Sequence, residues 1–379
     1  MDFRFSEEQE ELRNIARRFL ETHSGPEAIR SAMATELGYL PETWERIARE
    51  LGWLSIHIPE AYGGLGLSQV DLMVLLEASG EFLLCAPFFS TVALGANALL
   101  ELGDEFQKTA HLPALAEGSL TATLAFAERA GRWDAEGVQT TARREGDGFV
   151  LDGEKCWVVD GHSADLLIVA ARTPGSHGDE GLSAFLIRGD AAGLERKALP
   201  TMDQTRRLAE IRLENVRVEA DACLGEAESA GPGLRRTLDL AAIALAAEQV
   251  GGAQRCLEMA VAYAREREQF GRPIGSFQAI KHKCADMMVA VESARSALVY
   301  AACIAVDGSD DLSINASLAK AWCSEAYFQV AAENIQIHGG VGFTWEYDPH
   351  LYFKRARASE SWLGDPALHR ERVARALGL

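Results

Sequence analysis

The chain lacks the residue patterns that mark several protein classes. Its seven cysteines form no CxxC pair and are odd in number. They argue against a disulfide framework or a structural zinc site and read as reduced, mostly buried small hydrophobes. Nine histidines include no HExxH, so no metal centre is expected. No GxGxxG loop follows a first strand, which argues against a Rossmann domain. There is no run of 18 apolar residues, and the opening MDFRFSEEQEELRN is too acidic for a secretory signal. A cytoplasmic protein without membrane insertion is therefore expected. Positive charge is scarce: 37 Lys and Arg face 56 Asp and Glu, a net charge of -19. That balance argues against nucleic acid as a partner. An anionic ligand can still be held locally, at helix ends and by a few arginines.

What is present is a globular composition, 48% apolar over 379 residues. The length suits two or three domains or one large composite core. Residues 1–120 read as helical. Ser6 stands as an N-cap before an acidic first turn, and Leu12, Ile15, Ala16 and Leu20 keep helical spacing. Pro41 opens another helix, PEAYGGLGLS (59–68) is a turn-rich loop, and 69–84 and 89–102 return to helix. Residues 121–228 read as strands. TATLAFAE alternates, and DLLIVAART and LSAFLIR are short apolar runs. A small antiparallel β domain, a barrel or a sandwich, is expected here. Residues 229–379 hold three long apolar-rich helical stretches. These predict a bundle with faces wide enough to be buried against another subunit. The fold class is α+β.

Four segments then stand out: PEAYGGLG (59–66), EKCWVVDG (154–161), YAREREQFGRPIGSFQAIKHKCADM (263–287) and ENIQIHGGVGFTWEYD (333–348). In this order and spacing the chain resembles the acyl-CoA dehydrogenase family over essentially its full length. The resemblance implies an N-terminal helical domain, a middle β domain and a C-terminal four-helix bundle. It also implies a tetramer, with FAD between the β domain and the bundle and partly against a neighbouring subunit. Family members remove two hydrogens from the α and β carbons of an acyl-CoA thioester, giving the trans-2-enoyl-CoA. Electrons pass on to an electron-transfer flavoprotein. The chemistry needs a base close to a weakly acidic α proton in a dry site. It also needs donors for the enolate-like carbonyl and a flat two-electron acceptor that side chains cannot provide.

By the same resemblance, Arg267 reaches the FAD diphosphate and Gln269 lies beside it. Phe277 and Gln278 contact the adenosine half, and Gln336, His338, Gly339 and Gly340 form a further cofactor segment. Phe126, Trp157 and Val158 wall the flavin. An Arg suits a diphosphate through its fork of donors, and paired glycines allow close backbone approach. Each has a plainer reading: a solvated helix end for the charged run, a helix C-cap for Gly339–Gly340, a core position for Trp157. Two hydroxyl-bearing family positions are Ala127 and Trp133 here, which predicts FAD held more weakly or differently.

Asp239 matches the residue that contacts the CoA side of the substrate, but the Arg expected three residues later is Ala242. The two positions where members carry their catalytic Glu are Leu363 and Ala241, neither of which can accept a proton. Three readings stay open. Asp365 acts as the base from the LGDP turn, its plain role being a cap ahead of Pro366. Glu360 acts instead, its plain role being a pair with Arg357. Or this subunit supplies fold and FAD contacts within an α2β2 assembly, while a related partner supplies the base for bulky or steroid-derived acyl-CoAs. A homotetramer belongs to the first two readings. A non-catalytic scaffold and an acyl-CoA oxidase are further alternatives. Glu248 reads as structural, and Trp345, Tyr347 and Trp362 are candidates to fill the acyl space.

Overall fold

The computed structural model describes residues 5–379. Along the chain, α1 (Glu7–His23), α2 (Pro26–Ala34), α3 (Pro41–Glu45) and α4 (Gln69–Glu81) come first. A π-helical stretch, Ser90–Ala96, runs into α5 (Asn97–Leu102), followed by α6 (Glu105–Ala116). Seven strands follow: β1 (Ala122–Ala125), β2 (Thr141–Glu145), β3 (Gly148–Val159), β4 (Leu166–Arg172), β5 (Leu182–Arg188), β6 (Leu194–Ala198) and β7 (Leu208–Val218). Then come α7 (Gly231–Glu266), the short ribbon β8 (Glu268–Gln269) and β9 (Arg272–Pro273), α8 (Gln278–Asp307), α9 (Leu312–His338), α10 (Pro349–Ser361) and α11 (Pro366–Ala376). The architecture is α+β: helices, a β-sheet, then a helical bundle.

Two compact units emerge from the contacts. The helical unit combines the described residues up to Ser31 with Gln69–Leu84 and Ala242–Leu379. Helix α1 starts as its sequence predicts, with Ser6 and Gln9 capping each other's backbone. From Leu72 to Glu81, α4 is buried on all sides. Its approach to α7 depends on two glycines. A Cβ on Gly80 would lie 2.0 Å from the Glu248 carbonyl oxygen, and one on Gly251 would lie 1.8 Å from that of Glu77. Helix α8 packs on α9, which also receives α10 and α11. Among the described helices α8 is long and apolar enough to cross a membrane, but half of its most apolar stretch is buried inside the protein. Met287, Val291, Ala294 and Leu298 form its inner face. Met288, Val289 and Tyr300 on α8 and Leu318 and Trp322 on α9 are exposed.

The sheet unit comprises Ala32–Ser68 and Cys85–Ala241. Its sheet runs β1-β4-β2-β3-β7-β6, with β5 also on β4. The sheet is mixed, where an antiparallel one is expected from sequence. β1 pairs with β4 in parallel, Ala122 opposite Leu166, because the β2–β3 hairpin intervenes in the chain and makes the long crossover that a parallel pair needs. Leu151, Val158, Val169, Phe185 and Ile211 form the heart of its core. β3 carries a register shift between Lys155 and Val158 against β7. Gln107 of α6 donates to the Asp221 and Cys223 carbonyls at 2.8 and 2.6 Å, fastening α6 beyond the end of β7.

Candidate functional site

In the helical unit, α7 ends at Glu266 and the chain turns through the β8–β9 ribbon. Arg267 is exposed there, and among the described residues its side chain has no carboxylate partner. Gln269 donates back to the Glu268 carbonyl at 2.8 Å. Phe270, 92% exposed, meets Phe277 edge-on with ring centres 6.2 Å apart. The Arg272 guanidinium lies over Phe277 at 4.2 Å. Gln278 is exposed at the first residue of α8.

The second segment sits at the end of α9. Gln336 is exposed, while His338 is buried and donates from Nδ1 to the Asn334 carbonyl at 2.8 Å. Burial holds the His338 imidazole below its ordinary value, so the ring is neutral at pH 7. Tyr263 stacks on that ring at 4.2 Å, which joins the ends of α7 and α9. Gly339 has φ 64, and a Cβ on Gly339 or Gly340 would meet nothing within 4 Å. An unpaired Arg fork on the segment joined to an open glycine backbone fits a diphosphate.

In the sheet unit, Phe126 directly follows β1 and is buried. Trp157, half-buried, has φ 55 inside the irregular stretch of β3, and Val158 returns to the core. The bulge is what turns the Trp157 ring out of the in–out alternation of the strand. Trp133 lies nearly parallel to Phe126, 9° between planes and 6.4 Å between centres. Where the resemblance implies a hydroxyl, Trp133 therefore presents an aromatic face, which suits a flat ring system.

Asp239 is buried on α7, as are Ala241 and Ala242. Glu248 is also buried on α7. Leu363 is buried at φ 60 in the turn between α10 and α11. Asp365 is exposed and caps α11, its carboxylate accepting from the Leu368 N–H at 2.8 Å. Glu360 pairs with Arg357 one turn back on α10. Trp362 is buried, but Trp345 and Tyr347 lie on the surface. There Arg30 donates to the Trp345 carbonyl at 2.8 Å and pairs with Asp348 at 2.7 Å.

The turn rests on two buried residues that the sequence reading passed over. Lys320 of α9 is 0% exposed and donates to Ser324 Oγ, the Glu360 carbonyl and the Gly364 carbonyl at 2.9, 3.0 and 3.0 Å. These three acceptors match the three N–H donors of an ammonium. Burial nevertheless pulls its pKa down to about 7. His369 donates from Nε2 to the Leu363 carbonyl at 3.0 Å. Burial, then the nearby Lys320 and Arg372 charges, push His369 down to about 3. The one local signal was the spacing of Lys320, the single Lys of α9, four residues before Ser324, and it points to the first of these bonds alone.

Three family patterns match in register: the acyl-CoA dehydrogenase N-terminal domain over residues 6–119, the middle domain over 123–216 and the C-terminal domain over 233–378. The chain is 38% identical to the acyl-CoA dehydrogenase IpdE2 of Mycolicibacterium smegmatis, covering 95% of this chain and 96% of that protein. A chain of the ChsE4–ChsE5 complex of Mycobacterium tuberculosis superposes with a TM-score of 0.90 at 29% identity, covering 100% of this chain and 99% of that one. A chain of a Tcur3481–Tcur3483 steroid acyl-CoA dehydrogenase variant superposes at 0.89 with 33% identity, covering 98% of both. On its whole-length match and its α+β architecture, this chain belongs to the acyl-CoA dehydrogenase family.

Proposed function

We propose that this chain is the FAD-holding, base-lacking subunit of a cytoplasmic α2β2 acyl-CoA dehydrogenase that acts on bulky or steroid-derived acyl-CoA thioesters. The observation that carries the reading is the turn between α10 and α11. By the family resemblance the base position falls on Leu363, which is buried, and both nearby carboxylates are engaged: Asp365 in capping α11 and Glu360 with Arg357. Ala241, the other base position that the resemblance implies, is buried and equally without basicity. The similar proteins support this direction, since one is a two-protein complex and another a steroid dehydrogenase.

When bound, FAD supplies the two-electron acceptor for the β hydride, whose electrons go on to an electron-transfer flavoprotein. This chain's own part is to bind and orient. Arg267 faces the diphosphate, with Gln269 beside it, and Gly339–Gly340 admit the phosphates close to backbone. Gln336 and His338 flank that segment, Phe277 and Gln278 take the adenosine half, and Phe126, Trp157 and Val158 wall the ring. Asp239 contacts the CoA side of the substrate. The partner's Glu takes the α proton.

The experiment is co-expression with a related chain that carries Glu at the aligned base position. Light scattering of the purified product should give a 2:2 assembly containing FAD. A stable FAD-bound homotetramer that ignores the related chain would contradict the reading.

A further inference from the structure

The segment after β1 leaves the sheet carrying Phe126 and Trp133, while β3 offers Trp157 from its irregular stretch. Two such pieces of backbone need something to fix their relative placement. Here that is a buried ion pair. Lys155 is 0% exposed and its Nζ donates to the Phe126 carbonyl at 3.1 Å and to Glu128 Oε1 at 2.7 Å. The same carboxylate oxygen accepts from the Gln139 N–H, the Thr140 N–H and the Thr140 hydroxyl at 2.9, 2.8 and 2.8 Å. One residue on, the Cys156 N–H donates to the Ala127 carbonyl at 2.9 Å. On the outside, Arg129 reaches Glu154 of β3 at 2.6 Å and Glu210 of β7 at 3.3 Å.

We propose that the Lys155–Glu128 pair is a positioning device for the flavin wall, locking the segment that bears Phe126 and Trp133 onto the β3 bulge that bears Trp157. The inference rests on the flavin-binding reading above and adds residues that it does not name. The pair's bonds fall on the carbonyl of Phe126 itself and on the residue two before Trp157, so the backbone that aims those rings is what it fixes. The side chain of Gly131, were there one, would sit 3.9 Å from the Trp157 ring, so the locked segment passes beside that ring. Buried ion pairs are commonly no more stabilising than apolar residues of the same volume. That comparison favours placement over bulk stability as the pair's role. Burial lowers the Lys155 pKa to about 8, Glu128 opposing it. Burial acts to raise Glu128, but Lys155 and the donated hydrogen bonds outweigh it and hold the carboxyl low. Both groups therefore carry charge at pH 7.

The test is the double variant Glu128→Leu/Lys155→Met, which removes both charges and strands neither. Expected is a cooperatively folded protein whose aromatic near-UV circular dichroism differs from wild type before any FAD is added. Its dissociation constant for FAD, read by flavin fluorescence, should rise by about tenfold or more because preorganisation is lost. A folded double variant with wild-type near-UV signal and unchanged affinity would overturn the proposal. Should the double variant not fold, Thr140→Val removes a single donor to Glu128. The same shifts, smaller in size, are then expected, and their absence overturns the proposal equally. Wild-type protein that takes up no FAD would sink the flavin-binding reading alone, because the near-UV comparison on the free protein still decides whether the pair places the rings.

Discussion

His369 is fully buried with its Nε2 on the Leu363 carbonyl, and that bond needs only the neutral ring. Its pKa in the fold is about 3, against an ordinary 6.5. As pH falls below 6.5 the unfolded chain takes a proton that the folded chain refuses, so stability present above 6.5 is lost towards 3. Lys320, Arg372 and Asp365 are the charged groups that act on the ring. Glu81 has the opposite sign: burial raises it to about 7, so the fold gains relative stability as pH falls from 7 towards 4.5. The two separate by difference. Between pH 6.5 and 4.5, urea unfolding of wild type and His369→Gln should converge by up to about 1.4 kcal/mol per pH unit. Parallel curves would place the acid sensitivity elsewhere. Arg267 gives a second residue-scale expectation. Arg267→Ala removes a charged donor from an exposed position, so FAD affinity should weaken by about 1.5–3 kcal/mol with the melting temperature unchanged. Equal affinity would remove Arg267 from the cofactor's surroundings.

Among elements, the turn between α10 and α11 is held by Lys320 on the Glu360 and Gly364 carbonyls, by His369 on the Leu363 carbonyl and by the Asp365 cap. Lys320→Met leaves the Glu360 and Gly364 carbonyls without their donor and should cost about 2–4 kcal/mol in urea unfolding. Asp365→Ala loses one cap and should cost about 1 kcal/mol. Equal costs would contradict this account of what holds the turn. The Asp365 cap was legible beforehand, because an Asp before Pro at a helix start is a local signal. The Ser6 cap and the Pro41 helix start were local in the same way, and both are present. The part Lys320 plays was not legible, since two of its acceptors are backbone carbonyls 40 and 44 residues away. Nor was the parallel β1–β4 pairing, which depends on a crossover that side-chain alternation does not encode. The Lys155–Glu128 pair escaped for the same reason, as its partners lie 27 residues apart.

For the whole molecule, composition and motif order are enough to give the α+β class and the family. They leave open whether the chemistry divides between subunits, because that turns on what an engaged carboxylate is free to do. The proposed assembly would cover exposed apolar side chains such as Met288 and Val289 on α8 and Trp322 on α9. We propose that this chain holds FAD but does not itself take the α proton. The direct measurement is stopped-flow flavin reduction of the purified FAD-loaded chain by steroid-derived and other bulky acyl-CoAs. The chain alone should stay oxidised, Asp365→Asn should change nothing, and adding the related Glu-bearing chain should bring on bleaching that vanishes when that Glu is replaced. Rapid bleaching of the chain alone, slowed by about 10²- to 10⁴-fold in Asp365→Asn, would contradict the account and make Asp365 the base.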